Sequence, residues 1–131
     1  MSDMTYGYEK LLGGASFEDA TERVTAALAA EGFGILTEID VQATLKKKLD
    51  KDFRRYKILG SCNPNLAYQA LLGEPQIGLL LPCNVVVQET DQGVSVSIAS
   101  PRAMFSLVGK AGMEELVADA EARLARVLAA T

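Results

Sequence analysis

The sequence of 131 residues contains no histidine. Histidine is the commonest general base and metal ligand, and it activates the nucleophile in Ser-His and Cys-His pairs. Its absence excludes the hydrolases that depend on such pairs. With only two cysteines present, a zinc site would need carboxylates or a second chain to complete four ligands. We therefore expect no metal site and no other cofactor.

The sequence also lacks an excess of basic residues and any long hydrophobic run. Seventeen acidic and 13 basic residues give a net charge of −4, which argues against nucleic acid as a partner. The longest apolar run, residues 77–81, is far shorter than the roughly 20 residues that span a bilayer. The first ten residues, MSDMTYGYEK, do not resemble a signal or transit peptide. We expect a cytoplasmic protein that binds neither nucleic acid nor membrane.

What the chain does contain is enough apolar material for one buried core. Hydrophobic residues make up 49% of it, and no repeat or linker divides it, so residues 1–131 are predicted to form a single domain. Periodicity predicts strands over residues 6–12, 33–39, 54–59, 78–81, 85–89 and 94–99. It also predicts helices after the N-caps Ser16, Asp40 and Asn63, and a long helix near the C-terminus. This order indicates an α+β fold, with a mainly antiparallel sheet and helices packed on one face.

Two cysteines stand at the ends of predicted strands. Cys62 lies in the stretch GSCNP, where a strand gives way to a helix that Asn63 caps and Pro64 begins. The free N–H groups and dipole of a helix N-terminus favour anions, which makes Cys62 a candidate reactive thiol. Cys83 follows Pro82 at the start of a later strand. If the two strand ends are neighbours in the sheet, the two thiols can come close enough to bond.

Several roles for the two cysteines stay open at this stage. Cysteine is often buried as a small hydrophobic residue, so both could serve packing alone. As a pair, the thiols could instead cycle between dithiol and disulfide, relay sulfur as a persulfide, or bind copper(I). Because the spacing is not that of a CxxC motif, the sequence does not choose between packing and chemistry.

A cluster of positive charge interrupts this acidic chain. Seven of the 13 basic residues fall within twelve positions: Lys46, Lys47, Lys48, Lys51, Arg54, Arg55 and Lys57. Clustered cations focus the electric field and could attract a phosphate, an anionic metabolite or an acidic partner. The alternative is a solvated surface whose charges form local ion pairs.

Two motifs resemble a known family. The stretch YKILGSCNPNLAYQALLGEPQIGLLLPCNVVV, with the preceding DVQATLKKKLDKDFRRY, resembles the domain of unknown function 302. The elements that carry the resemblance are Gly-x-Cys-Asn-Pro at residues 60–64 and Leu-Pro-Cys at residues 81–83. The resemblance implies a fold similar to the TATA-binding-protein sheet and a homodimer, and it implies no assigned activity.

These observations lead to three hypotheses about function. The first is a non-enzymatic, homodimeric binding or interaction module for a small molecule or an anionic partner, with a cleft near Cys62, Asn63, Pro64 and Cys83. The alternative is thiol-based redox, sulfur-relay or copper(I) chemistry, with Cys62 attacking and Cys83 resolving. A third hypothesis is a structural subunit that dimerises and binds no ligand.

Overall fold

A computed structural model describes residues 4–131 of the chain. Within this range, five strands form one antiparallel sheet: β1 (Gly7–Leu12), β2 (Gly34–Asp40), β3 (Tyr56–Cys62), β4 (Cys83–Thr90) and β5 (Gly93–Ala99). The helices of the same range are α1 (Phe17–Ala30), α2 (Val41–Leu49), α3 (Pro64–Gly73), α4 (Pro101–Phe105) and α5 (Glu114–Ala130), with a 3-10 helix at Pro75–Leu80. The strand order is β1-β5-β4-β3-β2. The predicted α+β fold, with an antiparallel sheet, helices on one face and a C-terminal helix, is confirmed.

The core lies between the sheet and the helices α1 and α5. Alternate residues of the two central strands are buried on the helix side: Val85 and Val87 of β4, and Val94, Val96 and Ile98 of β5. The helices cover them with Val24 and Leu28 of α1 and Leu124 and Val127 of α5. Each such side chain contributes about 1.5–3 kcal/mol by leaving water, so this layer dominates the stability of the fold.

The three predicted helix caps are present. The side chains of Ser16, Asp40 and Asn63 accept hydrogen bonds from the backbone N–H groups of Asp19, Ala43 and Leu66, at 3.0, 2.9 and 3.2 Å. Each cap satisfies an N–H group that has no partner inside the helix. Local sequence therefore sets where α1, α2 and α3 begin.

The strand predicted over residues 78–81 is wrong. Residues 78–80 belong to the 3-10 helix that begins at Pro75, and Leu81 is its C-cap. The Glu74 side chain caps the start of this helix by accepting a hydrogen bond from the N–H of Gln76. Ile77 of this helix packs in a second small core with residues of α3 and α5. A short apolar run has no periodicity that separates strand from helix, which explains the error.

The end of strand β3 also differs from the prediction. Strand β3 does not end before Gly60 but continues to Cys62, because residues 60 and 61 pair with Asn84 and Cys83 of β4. Strand β5 ends at Ala99 as predicted, and Ser100 then caps a short helix, α4, whose first residue is Pro101.

Strand β2 is more exposed than its alternating pattern predicts. It forms an edge of the sheet, and Leu36 and Ile39 are 66% and 48% exposed. A β-bulge lies at Leu36, since Ile35 pairs with Ser61 and the next paired residue is Thr37. Bulges redirect side chains at sheet edges.

No helix within residues 4–131 is long and apolar enough to cross a membrane.

Candidate functional site

An apolar cavity of about 280 Å³ lies at the end of the sheet where β3 finishes and β4 begins. Helices α3, α4 and α5 close it from the other sides. The apolar part of its lining includes Phe33, Leu66, Ala67, Leu71, Phe105 and Leu116. The bulged residue Leu36 also lines the cavity although most of its side chain is exposed, so it lies at the mouth. Concave apolar pockets of this kind are typical small-molecule sites.

The structure places three of the four predicted site residues on this cavity. Cys62, Asn63 and Cys83 line it, and Pro64 instead forms the first residue of α3. The two motifs meet because β3 and β4 are neighbours, and the residue before Cys62, Ser61, pairs with Cys83. Both cysteines are free thiols and both are half-buried. That they bind a ligand stays a prediction.

The polar side chains of Ser61 and Asn63 in the lining already form hydrogen bonds with other groups of the protein. The Ser61 hydroxyl donates to the carbonyl oxygen of Cys83 at 2.8 Å. The Asn63 side chain donates to the carbonyl oxygen of Glu31 at 3.3 Å, while its oxygen caps α3. Asn63 thereby ties the start of α3 to the end of α1. Because these groups have partners, the cavity offers an entering ligand an apolar surface and two sulfur atoms.

Burial, with smaller contributions from the nearby Cys62 and Glu121, raises the pKa of the Cys83 thiol from its usual 9.0 to about 11. Burial acts this way because a thiolate loses its hydration in an apolar environment. The Cys83 thiol is therefore protonated at neutral pH, which opposes a role for it as a thiolate. Within residues 4–131 no group of three or more Cys, Asp or Glu side chains could hold a metal ion.

We expect Cys83 to be alkylated slowly. In a Cys62→Ser variant at pH 8, iodoacetamide should modify Cys83 about 100-fold more slowly than the same chain in urea, since each pKa unit above the pH lowers the thiolate fraction tenfold. The rate should rise with pH through about 11, where half of the thiol is ionised. Intact-mass spectrometry measures it. Equal rates in the folded and unfolded chains would contradict the burial of this thiol.

A carboxylate next to the cavity was missed by the sequence reasoning. Glu121 of α5 accepts hydrogen bonds from the Tyr8 hydroxyl, from the Ser100 hydroxyl at 2.9 Å and from the Arg102 N–H at 2.9 Å. The hydrogen bond to Glu121, followed by burial, raises the pKa of Tyr8 above 10.0. The signal in the sequence is that Glu121 falls four residues after Val117, so helical spacing puts a charge on the apolar face of α5.

Glu121 holds the short helix α4 in place. Ser100 caps α4 and Arg102 belongs to it, so the carboxylate binds the start of this helix to α5. Pro101 and Phe105 of α4 line the cavity. The position of one cavity wall therefore depends on a partly buried polar contact that joins β1, α4 and α5.

The basic cluster does not converge on one site. Lys46 pairs with Asp50 and Asp52 at 3.0 and 3.3 Å, Arg55 with Glu18 at 2.5 Å, and Lys57 with Glu38 at 2.5 Å. The Arg54 guanidinium lies 4.5 Å from the centre of the Phe53 ring and donates to Gln88. The side chains of Lys47, Lys48 and Lys51 are exposed. This arrangement favours the solvated surface with local ion pairs, and an anion site here stays a prediction.

Comparison with known proteins gives a family and a fold. Residues 8–131 match the family described as Domain of unknown function DUF302. The chain is similar to the crystal structure of an uncharacterized conserved protein DUF302 from Bacillus stearothermophilus, with 28% identity and a TM-score of 0.88 over 96% of this chain and 98% of that chain. No curated protein matches the chain. The likeness to the TATA-binding-protein fold stays a prediction.

Proposed function

The chain belongs to the DUF302 family, whose description states no activity, and we propose from its cavity that it is a small-molecule binding domain with a compact, apolar ligand. The observation that carries the proposal is the lining. Residues of both sequence motifs line the cavity, and its walls are apolar. The side chains of Ser61 and Asn63 already have hydrogen-bond partners within the protein. Burial of apolar ligand surface would supply the affinity, at about 25 cal/mol per Å².

The volume and the polarity of the cavity limit the ligand. A cavity of roughly 150 Å³ holds one benzene ring, so about 280 Å³ suits a molecule of roughly ten non-hydrogen atoms. A charged group inside would lose its hydration without gaining a partner, which is costly. The ligand class is therefore neutral and apolar, with any polar end at the mouth near Leu36.

Other parts of the hypothesis rest on the family resemblance or on composition. The homodimer, the cytoplasmic location and the absence of enzymatic activity stay predictions. So does the thiol alternative of redox, sulfur relay or copper(I) binding. The shared position of Cys62 and Cys83 on one cavity favours that alternative, and the raised pKa of Cys83 opposes it.

Displacement of a neutral fluorescent probe of matching size, 1-naphthylamine, tests the proposal. We expect the protein to bind one probe molecule and 1-nonanol to displace it, with nonanoate at least about tenfold weaker because its carboxylate must be desolvated. Replacing Ala67, which lines the cavity on α3, by tryptophan should lower probe affinity by about 30-fold, or about 2 kcal/mol, because the indole occupies the ligand volume.

The matched control is Tyr68→Trp. Tyr68 is the next residue of the same helix, it is 65% exposed, and it should tolerate the indole without loss of probe binding. Circular dichroism would show that both variants fold. Equal probe affinity in the two variants, or probe binding that does not saturate, would overturn the proposal.

A further inference from the structure

The cavity contains reactive groups that simple binding of an apolar ligand does not use. Its lining carries the thiols of Cys62 and Cys83, while the polar side chains of Ser61 and Asn63 bond to the protein. A soft thiol nucleophile inside an apolar cavity favours a ligand that is apolar along its length and bears one soft electrophilic carbon. That combination describes a narrow chemical class.

We propose that the cavity captures compact, apolar α,β-unsaturated aldehydes and ketones as covalent thioethers at Cys62. This inference rests on the proposed function, since the apolar chain of the electrophile must first occupy the cavity. The cavity of about 280 Å³ accommodates an enal of roughly ten non-hydrogen atoms, by the same comparison with the benzene-sized cavity.

Position assigns the reaction to Cys62 rather than to Cys83. Cys62 is the last residue of β3 and directly precedes Asn63, the cap of the ten-residue helix α3. The N-terminus of such a helix stabilises negative charge on an oxygen that gains charge nearby, as the carbonyl oxygen of the ligand does during the addition. Burial, with Cys62 and Glu121 acting in the same direction, raises the pKa of Cys83 to about 11, so this thiol stays protonated at neutral pH.

The reaction is an addition and needs no second reactant. The Cys62 sulfur, having released its proton to water, forms a bond to the β-carbon of the unsaturated carbonyl compound. The electrons of the carbon–carbon double bond move to the carbonyl oxygen as an enolate, and a proton from water then binds the α-carbon. One S–H bond and one π bond are lost, one C–S and one C–H bond are gained, and nothing is oxidised or reduced. A disulfide between the two cysteines would instead require an external oxidant.

The cavity predicts selectivity by chain length. A long apolar enal gains affinity from each methylene group that it buries, at about 0.8 kcal/mol per group in general, whereas acrolein gains almost nothing. Glutathione has no cavity and reports the intrinsic reactivity of each compound. The ratio of the rates for 2-nonenal and acrolein should therefore be at least about tenfold larger for the protein than for glutathione.

The experiment measures adduct formation on the full chain by intact-mass spectrometry, with peptide mapping to locate the adduct. We expect one 2-nonenal per chain, located on Cys62, and loss of the adduct in Cys62→Ser. The Tyr68→Trp variant, whose substituted residue lies outside the cavity lining, should keep both the adduct and the enhanced ratio. Displacement of the naphthylamine probe by 1-nonanol shows whether each variant folds and retains the cavity.

The outcomes separate this inference from the proposed function. If 1-nonanol displaces the probe while the rate ratio equals that of glutathione, or while Cys62→Ser still forms the adduct, the covalent inference is wrong and the binding function stands. If 1-nonanol does not displace the probe from the unmodified protein, both proposals are wrong. An adduct on Cys83 in place of Cys62 would also overturn the assignment.

Discussion

A Gly60→Ala variant should lose about 2–3 kcal/mol of its free energy of unfolding, the cost typical of forcing an extra carbon into a packed interior. Gly60 is a buried residue of β3. A β-carbon at this position would overlap the Thr37 hydroxyl and lie 2.8 Å from Cγ of Pro82. Rotation of the exposed Thr37 side chain can relieve the first overlap, but the overlap with the rigid ring of Pro82 remains and can be relieved only by displacing Pro82 or β3.

Urea unfolding monitored by circular dichroism measures this loss, and Gly34→Ala is the matched control. Gly34 also lies in a strand of the sheet, but a β-carbon there would meet nothing within 4 Å. We expect the control to change stability by no more than about 0.5 kcal/mol. Because Pro82 also lines the cavity, Gly60→Ala should weaken binding of the naphthylamine probe, whereas Gly34→Ala should not. Equal stability of the two variants would show that the sheet absorbs the added carbon.

The features that were predictable from sequence are those that local chemistry determines. The caps Ser16, Asp40 and Asn63 act on N–H groups three residues away, so a short stretch of sequence contains both partners. The alternation of β5 and the helical spacing of α5 each repeat over several turns or pairs, which makes the period clear.

The predictions that failed concern features that depend on neighbours distant in sequence. The exposure of β2 follows from its place at the edge of the sheet, which the alternation of its own residues does not encode. The 3-10 helix at Pro75–Leu80 is short, and its burial depends on a contact between Ile77 and residues of α3 and α5. Tertiary contacts determine the conformation and the exposure of such segments.

The candidate site shows the same division. The motifs around Cys62 and Cys83 were recognised from their residue types and from their positions at the ends of predicted strands. The pairing of β3 with β4 explains why the two motifs share one cavity. The raised pKa of Cys83 could not be foreseen, because it arises from burial under helices far along the chain. Glu121 was also missed, because its partner Tyr8 is 113 residues away in the sequence and only the fold brings the two residues together.

A Glu121→Ala variant should lose about 3 kcal/mol of its free energy of unfolding, since hydrogen bonds to a charged group contribute about 1.5–3 kcal/mol each and water can replace part of them. The substitution removes the acceptor for the Tyr8 hydroxyl, the Ser100 hydroxyl and the Arg102 N–H together. Glu22→Ala, on the exposed side of α1, is the control and should change stability by less than about 0.5 kcal/mol. A loss no larger than that of the control would show that α4 does not depend on the carboxylate.

The pH dependence of stability gives this prediction a second, independent readout. The hydrogen bond to Glu121 raises the pKa of Tyr8 above the usual 10.0, so the folded protein keeps this proton at pH values where the unfolded chain has lost it. The stabilisation is therefore complete below pH 10 and decreases as the pH rises from 10 through the folded-state pKa. Tyr8→Phe cannot ionise at this position, and Glu121→Ala removes the main cause of the shift, so urea midpoints of both variants should fall less than those of the parent protein between neutral and strongly alkaline pH. A parallel fall in all three proteins would mean that the alkaline loss comes from other groups and that Tyr8 and Glu121 do not act as a pair.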